Sequence, residues 1–469
     1  MSMSNNVSSG KGYVSINSIV FMNIAALLGV RWFATAGAYG AGSIILWIIA
    51  AVIFFVPMAL ICAEFSSIFP DSKGGMIDWI RKGLGEKSAF YASWMYYVSF
   101  YFYFPAVLTF VAIAIAFALN KPQLQNNTGY VIWFVLIVYW TITFIVLKGY
   151  KIAAKFASLG GLFGVTIPII AIVVLSLVSV FIFGNPVQTD YSPSAWIPHF
   201  TRSNLMFIST MALAMAGVEL TSPFASRMKN PPVDYPKAIV LSAICVTAGY
   251  IIGTVALTFV INPKNLGPAS GIQEVLMIVS RNVHFSIAGN ILCVMIAYAS
   301  LAASCIILFS ITTFLIDGNG KQFLPEMIAK KNKDDMPRNL IIIQGIIITI
   351  VVLVTKTLKS VETIYMVLIS VETILMFIPY LLLIIAYVKT KRNPKLVPTF
   401  AVPGRNIGAA IAVIFVTILS LIAILIPIVS LPEGQTLLHY ESMILIFPLA
   451  LIGLGWAISS YAIRKNRGS

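Results

Sequence analysis

The sequence predicts an all-α integral membrane protein with twelve transmembrane helices, and three observations carry that reading. Hydrophobic residues make up 59% of the 469 positions and charged residues only 10%, against about 25% charged in soluble domains. Apolar runs of roughly 20 residues recur along the whole chain, each long enough to cross a ~30 Å hydrocarbon layer as a helix. Lys and Arg then alternate from loop to loop: 24 of the 31 fall on one side of this layout and 6 on the other. Positive charge gathers on the cytoplasmic side, so both termini are expected there, and the span count is expected to be even. The net charge of +15 follows from this bias and does not point to nucleic acid. No polar stretch is long enough to bury a core of its own, so no separate soluble domain is expected.

The elements follow in order. Residues 1–12 are a polar, Gly/Ser-rich tail. They lack the short apolar core and cleavage site of a signal peptide, so the first span is expected to stay in place. Residues 13–463 are expected to form one membrane domain, with 464–469 a second cytoplasmic tail. The spans fall at 16–38, 43–68, 88–118, 130–148, 156–183, 205–227, 237–261, 286–316, 339–355, 362–388, 407–428 and 442–463. Pro57, Pro105, Pro168 and Pro379 lie within spans and are expected to kink them. The outer loop 184–204 joins spans 5 and 6, and the outer loop 263–284 is expected to hold a short interfacial helix. The inner loop 317–339 is basic and bounded by proline.

Lipid cannot satisfy free backbone groups, so a helix breaks inside a membrane only where it is buried or lines a cavity. Two stretches look like such breaks: Leu28-Gly29-Val30-Arg31 in span 1, and LAMAGVELTS (213–222) around Gly217 in span 6. Each opens a group of five helices, spans 1–5 and 6–10, the spacing an inverted repeat gives. The N–H groups freed at a break suit an anion and the freed carbonyls a cation. Arg31 lies halfway along span 1, where a charge costs at least ~2.5 kcal/mol. It is expected to face a water-filled site, meeting either a ligand carboxylate or an internal acid; the bland alternative is a structural ion pair.

Three carboxylates also fall inside apolar runs. Glu219 follows the second break and is a candidate for ligand contact, proton coupling or locking of the break. Glu372 sits in mid-span 10, a partner for Arg31 or a titrating group. Glu64, at the inner end of span 2, is expected to anchor the helix end to a loop. Aromatics crowd span 3 as WMYYVSFYFYFP (94–105), with Tyr97 and Tyr101 as gating candidates against a background of plain packing. Cys62, Cys245, Cys293 and Cys305 lie in apolar runs and are expected to pack. His199, His284 and His439 fall in outer loops or at their edges. No Cys/His spacing suggests a metal, and no cofactor is expected.

Four stretches carry a family resemblance. AEFSSIFPDSKGGMIDWIRKGLG (63–85) resembles the loop between spans 2 and 3 of the amino acid–polyamine–organocation superfamily. AGVELTSPFASRMKNPPVDYPKAI (216–239) resembles its span 6–7 region. QFLPEMIAKKNKDDMPRNLIIIQ (322–344) and RNPKLVPTFAVPGRNIGAAIA (392–412) resemble its span 8–9 loop and the element before span 11, most of all in the glutamate/GABA antiporter family.

The resemblance implies a LeuT-like fold: a 5 + 5 inverted repeat (about 13–184 and 203–390) plus two further helices (about 405–463), with helices 1 and 6 unwound. It also implies alternating-access transport of an amino acid or a decarboxylated amine, probed by Gly29, Val30, Arg31 and Trp32 on one side and Ala214, Ala216, Gly217 and Glu219 on the other. The stretch from Gly29 to Phe33 and that from Ala214 to Leu220 are the implied flanks. Two departures stand out. The usual glycine-rich element of span 1 is replaced by GVRWFATAGAYG, so Arg31 is expected to replace or assist the backbone grip on a carboxylate. The long C-terminal plug of acid-resistance members is not found, which weighs against acid-gated exchange.

The expected function is secondary transport of amino acids across the plasma (inner) membrane, with exchange preferred over proton symport. The partners are then a small-molecule substrate and the lipid bilayer. An enzyme would need a catalytic constellation, and none is visible. A channel would be expected to show a filter segment rather than paired helix breaks.

Overall fold

The computed structural model describes residues 13–69, 72, 75–148, 166–200, 205–219, 221, 224, 228–316, 321–331, 337–430 and 437–467. The parts of spans 5 and 6 at 156–165, 220, 222–223 and 225–227, the tail 1–12, most of the basic loop 317–339 beyond its short helices, and the side chain of His439 lie outside that description.

The described chain is helical. Two short helices open it, α1 (Ile16–Leu27) and α2 (Arg31–Gly37). Then come α3 (Gly42–Ile68), α4 (Met76–Leu84), α5 (Glu86–Ala118), α6 (Thr128–Leu147) and α7 (Ile167–Phe181). The second half holds α8 (Met206–Ala214), α9 (Pro231–Val260), α10 (Gly271–Asn282), α11 (Ser286–Leu315), α12 (Arg338–Thr355) and α13 (Val361–Lys391). Two more follow, α14 (Arg405–Val429) and α15 (Leu437–Arg467). Among the described residues, nine helices are long and apolar enough to cross a membrane, and they fall on expected spans 2, 3, 4 and 7 to 12.

The surface has the chemistry of a protein in lipid. On α14, Ile407, Ile411, Ile414, Ile418, Leu421, Leu425 and Val429 are exposed. Their spacing of three and four places them on one helix face. The opposite face carries Ala409, Ala412, Val416, Leu419 and Ala423, all buried. The alanines among them let neighbouring helices approach closely, which is how apolar helices associate in lipid, where no hydrophobic force drives them together. The central helices differ. α5 and α13 are apolar on every face and buried on nearly every face, as helices enclosed by other helices are. They pack against one another, and α11 packs against α5.

Proline occurs in three settings here. Pro57 follows a π-helical turn over Ala51–Phe55 in α3. A proline offers no N–H to the preceding turn, and a wider turn absorbs the mismatch. Pro105 and Pro379 lie inside the continuous helices α5 and α13. Pro168 lies at the described start of α7, two residues after Thr166, which is itself in helical geometry. The helix expected in the loop 263–284 is α10. It is half embedded: Gln273, Val275, Leu276 and Val279 are buried, and the Gln273 amide donates to the Phe110 carbonyl at 3.3 Å.

Two breaks in the helical path position the site. α1 ends when Leu28 leaves helical geometry (φ −75°, ψ 87°), and helix resumes at Arg31. α8 ends at Ala214, and Gly217 then takes φ +117°. Side chains with a Cβ rarely adopt that region, so glycine is needed at this turn. Tyr250 on α9 connects the two breaks. Its hydroxyl donates to the Leu27 carbonyl, lies 3.1 Å from the Ala214 carbonyl, and accepts the Gly29 N–H at 3.4 Å. The Tyr250 ring stacks on Trp47 at 4.2 Å and meets Phe33 edge-on at 6.0 Å, so the hydroxyl is held in place. Carbonyls freed by a helix end need such partners in a water-poor interior.

At the far end of α3, Glu64 is 1% exposed and accepts three hydrogen bonds. The donors are Tyr387 Oη and Lys391 Nζ, each at 2.6 Å, and Val402 N at 2.9 Å. The carboxylate thus joins α3 to the end of α13 and to the loop before α14, the anchoring role its sequence position implied.

Candidate functional site

A cavity of about 380 Å³ opens between the two breaks. Leu27, Arg31 and Trp32 line it from the first break, and Leu213, Ala214, Ala216 and Gly217 from the second. α5 contributes Tyr96, Ser99, Phe100 and Tyr103, α11 contributes Ile307, Ser310, Ile311 and Phe314, and α13 contributes Glu372 and Met376. The volume lies in the range of small-molecule sites, and the lining is mostly apolar with a few convergent polar groups.

Two opposite charges face this space. The Arg31 guanidinium carbon lies 4.1 Å from the centroid of the Trp32 ring and 5.2 Å from that of Tyr103. The two π faces stabilise the cation without neutralising it. Its Nη1 is buried and makes no hydrogen bond. Glu372 is 6% exposed, and its Oε2 is likewise buried without a hydrogen-bond partner. Among the described residues neither makes an ion pair within 4.0 Å. An arginine with a bare N–H and a carboxylate with a bare oxygen on one cavity wall form a receptor with two poles. Groups left so are costly when empty and rewarding when a ligand fills them.

The residues singled out from the sequence divide into two sets. Arg31, Trp32, Ala214, Ala216, Gly217 and Glu372 all line the cavity. Gly29 and Val30 lie in the first break just behind it, with Gly29 bonded to Tyr250. Glu219 is buried beyond the second break, where Tyr380 donates to its Oε1 at 2.8 Å, and it is not part of the lining. Tyr97 and Tyr101 pack edge to face at 5.3 Å inside α5 and are also outside the lining. Leu220 lies outside the described residues.

Sequence reasoning passed over the α11 residues Ile307, Ser310, Ile311 and Phe314, and the open face of the helix that holds Tyr97 and Tyr101. Tyr96, Ser99, Phe100 and Tyr103 repeat at helical spacing and turn towards the cavity, while Tyr97 and Tyr101 turn away. The run 94–105 is aromatic all round, so nothing in it marks which face is open. Tyr250 carried no signal at all; its role depends on two carbonyls that are remote in sequence. Among the described residues no cluster of three metal-ligating side chains occurs.

Relatives with known descriptions share most of this chain. A glutamate/gamma-aminobutyrate antiporter of Lactococcus lactis is 27% identical over 431 residues, covering 90% of this chain and 84% of its own length. A transporter of Legionella pneumophila, described as uncharacterised, is 27% identical over 399 residues and 85% of each chain. Among solved structures, a mutant manganese transporter from Eremococcus coleocola superposes with a TM-score of 0.60 at 13% identity, covering 99% of this chain and 98% of its own. That likeness establishes the architecture and says nothing about the ligand. The amino acid permease family model matches residues 14–454. Helices that expose apolar faces, a cavity between two helix breaks, and this match along nearly the whole chain agree: the protein is a multi-pass membrane transporter of the amino acid permease family.

Proposed function

We propose that this protein is a secondary active amino acid transporter that exchanges one amino acid for a related amino acid or amine by alternating access. The observation that carries the reading is the cavity between the two breaks, with Arg31 Nη1 and Glu372 Oε2 both buried without a hydrogen-bond partner among its lining residues. An amino acid presents a carboxylate and an ammonium group. The Arg31 guanidinium suits the first. Glu372 and the carbonyls at the end of α8 suit the second. Tyr96, Phe100, Tyr103 and Phe314 supply the apolar wall.

In this reading the chain crosses the membrane twelve times. Repeats of about 13–184 and 203–390 form the 5 + 5 core, helices 1 and 6 unwind at the site, and 405–463 add two helices. Both termini are cytoplasmic. The lining of the cavity by the halves of α5 and α11 that lie towards the basic loops supports an inward-facing state. Gating by Tyr97 and Tyr101, and coupling by Glu219, would act from behind the cavity wall rather than by touching the substrate.

Counterflow in proteoliposomes tests the proposal. Vesicles loaded with unlabelled amino acids and amines are expected to accumulate one or a few labelled amino acids, and Arg31→Ala is expected to abolish this. Accumulation unchanged in Arg31→Ala would remove the proposed site. The unpaired Glu372 carboxylate also supports a second reading, proton-coupled symport. Uptake driven by a pH gradient into vesicles that hold no counter-substrate would favour it.

A further inference from the structure

The two unpaired charges carry an inference beyond transport itself, although it rests on the transport reading above. Arg31 and Glu372 face one small cavity, and neither has another ionic partner among the described residues. The titratable and charged groups around Glu372 are Arg31 from α2, Tyr103 from α5 and Tyr365 on α13 itself. α8, which borders the same space, brings no titratable side chain. With both groups ionised, the fixed charge of the cavity is zero. Unbalanced charge in a poorly solvated space is costly, so the cavity holds most readily what leaves its sum at zero.

We propose that the cavity selects its ligand by charge balance. A ligand with one carboxylate and one ammonium group fits as it is, its carboxylate on Arg31 and its ammonium on Glu372. A ligand with a second carboxylate is accepted only when Glu372 takes up a proton from the aqueous phase. An amine without a carboxylate is rejected, because it adds positive charge and leaves Arg31 bare. This narrows the exchange proposed above: of the amines, only those that keep a carboxylate, as the decarboxylation product of a dicarboxylic amino acid does, serve as exchange partners.

The experiment compares labelled leucine, glutamine, glutamate, 3-methylbutylamine (leucine without its carboxylate) and putrescine in counterflow at pH 5.5 and pH 7.5. Glutamine and glutamate have nearly the same shape and differ by one charge. Neutral amino acids are expected to accumulate at both pH values, and the two amines to fall at least about tenfold below them, the cost of one bare buried charge. Glutamate uptake is expected to rise on acidification. Its free side chain titrates near 4.3, so a small uncharged fraction of glutamate also grows at pH 5.5. Glu372→Gln separates the two causes: it is expected to raise glutamate relative to glutamine and to abolish the pH response. Persistence of that response in Glu372→Gln overturns the proposal.

Arg31→Gln supplies the complementary arm if Glu372→Gln does not fold. Its cavity keeps only the negative charge, and it is expected to admit 3-methylbutylamine, which carries a single positive charge. Amines carried by the wild type as well as neutral amino acids, or 3-methylbutylamine still excluded by a folded Arg31→Gln, overturn the charge rule and leave the transport reading standing. No accumulation of any of the five compounds by folded protein overturns both.

Discussion

A single hydroxyl group holds the site together. Tyr250 Oη meets backbone groups from both breaks, and it has one proton to offer two carbonyls. Removing it leaves a buried carbonyl bare on either side, a loss of about 1–3 kcal/mol. Tyr250→Phe is therefore expected to lower the melting temperature in detergent and to weaken transport. Unchanged melting and unchanged flux would show that the breaks hold without the tyrosine. Glu64 is a second residue of this kind, because three donors converge on it. Breaking a buried charge pair by removing one partner costs about 3–5 kcal/mol. Lys391→Met, which leaves the buried Glu64 carboxylate without a counter-charge, should therefore melt well below the wild type, and Lys391→Arg, which keeps the charge, should cost less. Equal melting of the two variants would contradict this ranking. Glu64, Arg31 and Glu372 were visible in the sequence because charge inside an apolar run is conspicuous. Tyr250 was not, because a tyrosine among apolar residues looks like any packed aromatic.

Packing between elements is set by small residues where helices approach closely. Gly83 of α4 faces Ala386 of α13, and a Cβ at Gly83 would lie 2.9 Å from the Ala386 Cβ and 3.0 Å from its carbonyl oxygen. Backbone cannot rotate away as a side chain does, so Gly83→Ala is expected to force the two helices apart. Overpacking of this sort costs about 1–3 kcal/mol. Thermal unfolding of Gly83→Ala in detergent measures it, and a gain in stability would mean that α4 moves freely against α13. Legibility at this scale was uneven. The long apolar helices were readable from length and hydropathy. The open face of α5 was not, because Trp94 to Phe104 are aromatic on every side and several helices bury different parts of that surface. The embedded half of α10 was also hidden. Its amphipathic pattern fits a membrane surface as well as a protein groove.

For the whole molecule, the asymmetry of Lys and Arg makes the most direct prediction. Asn126 and Lys395 are both exposed, on loops assigned to opposite sides. In a Cys245→Ala background, Asn126→Cys is expected to react with an impermeant maleimide in intact cells, and Lys395→Cys only after the membrane is opened. The reverse pattern would invert the proposed orientation.

The sequence by itself determined that this chain lives in a membrane, where the long apolar helices among the described residues run, and that a few charges lie inside its apolar runs. Those features follow from hydropathy, helix length and the cost of burying charge, all of which are local and additive along the chain. Tertiary structure decided what the charges face. It turned Arg31 and Glu372 into one cavity, turned Glu219 to Tyr380, and placed the Tyr250 hydroxyl between two helix ends, at Leu27 and Ala214, that lie far apart in the sequence. Hydrogen bonds and cavities depend on positions fixed to a fraction of an ångström by every packed neighbour, and no local pattern of residues specifies that.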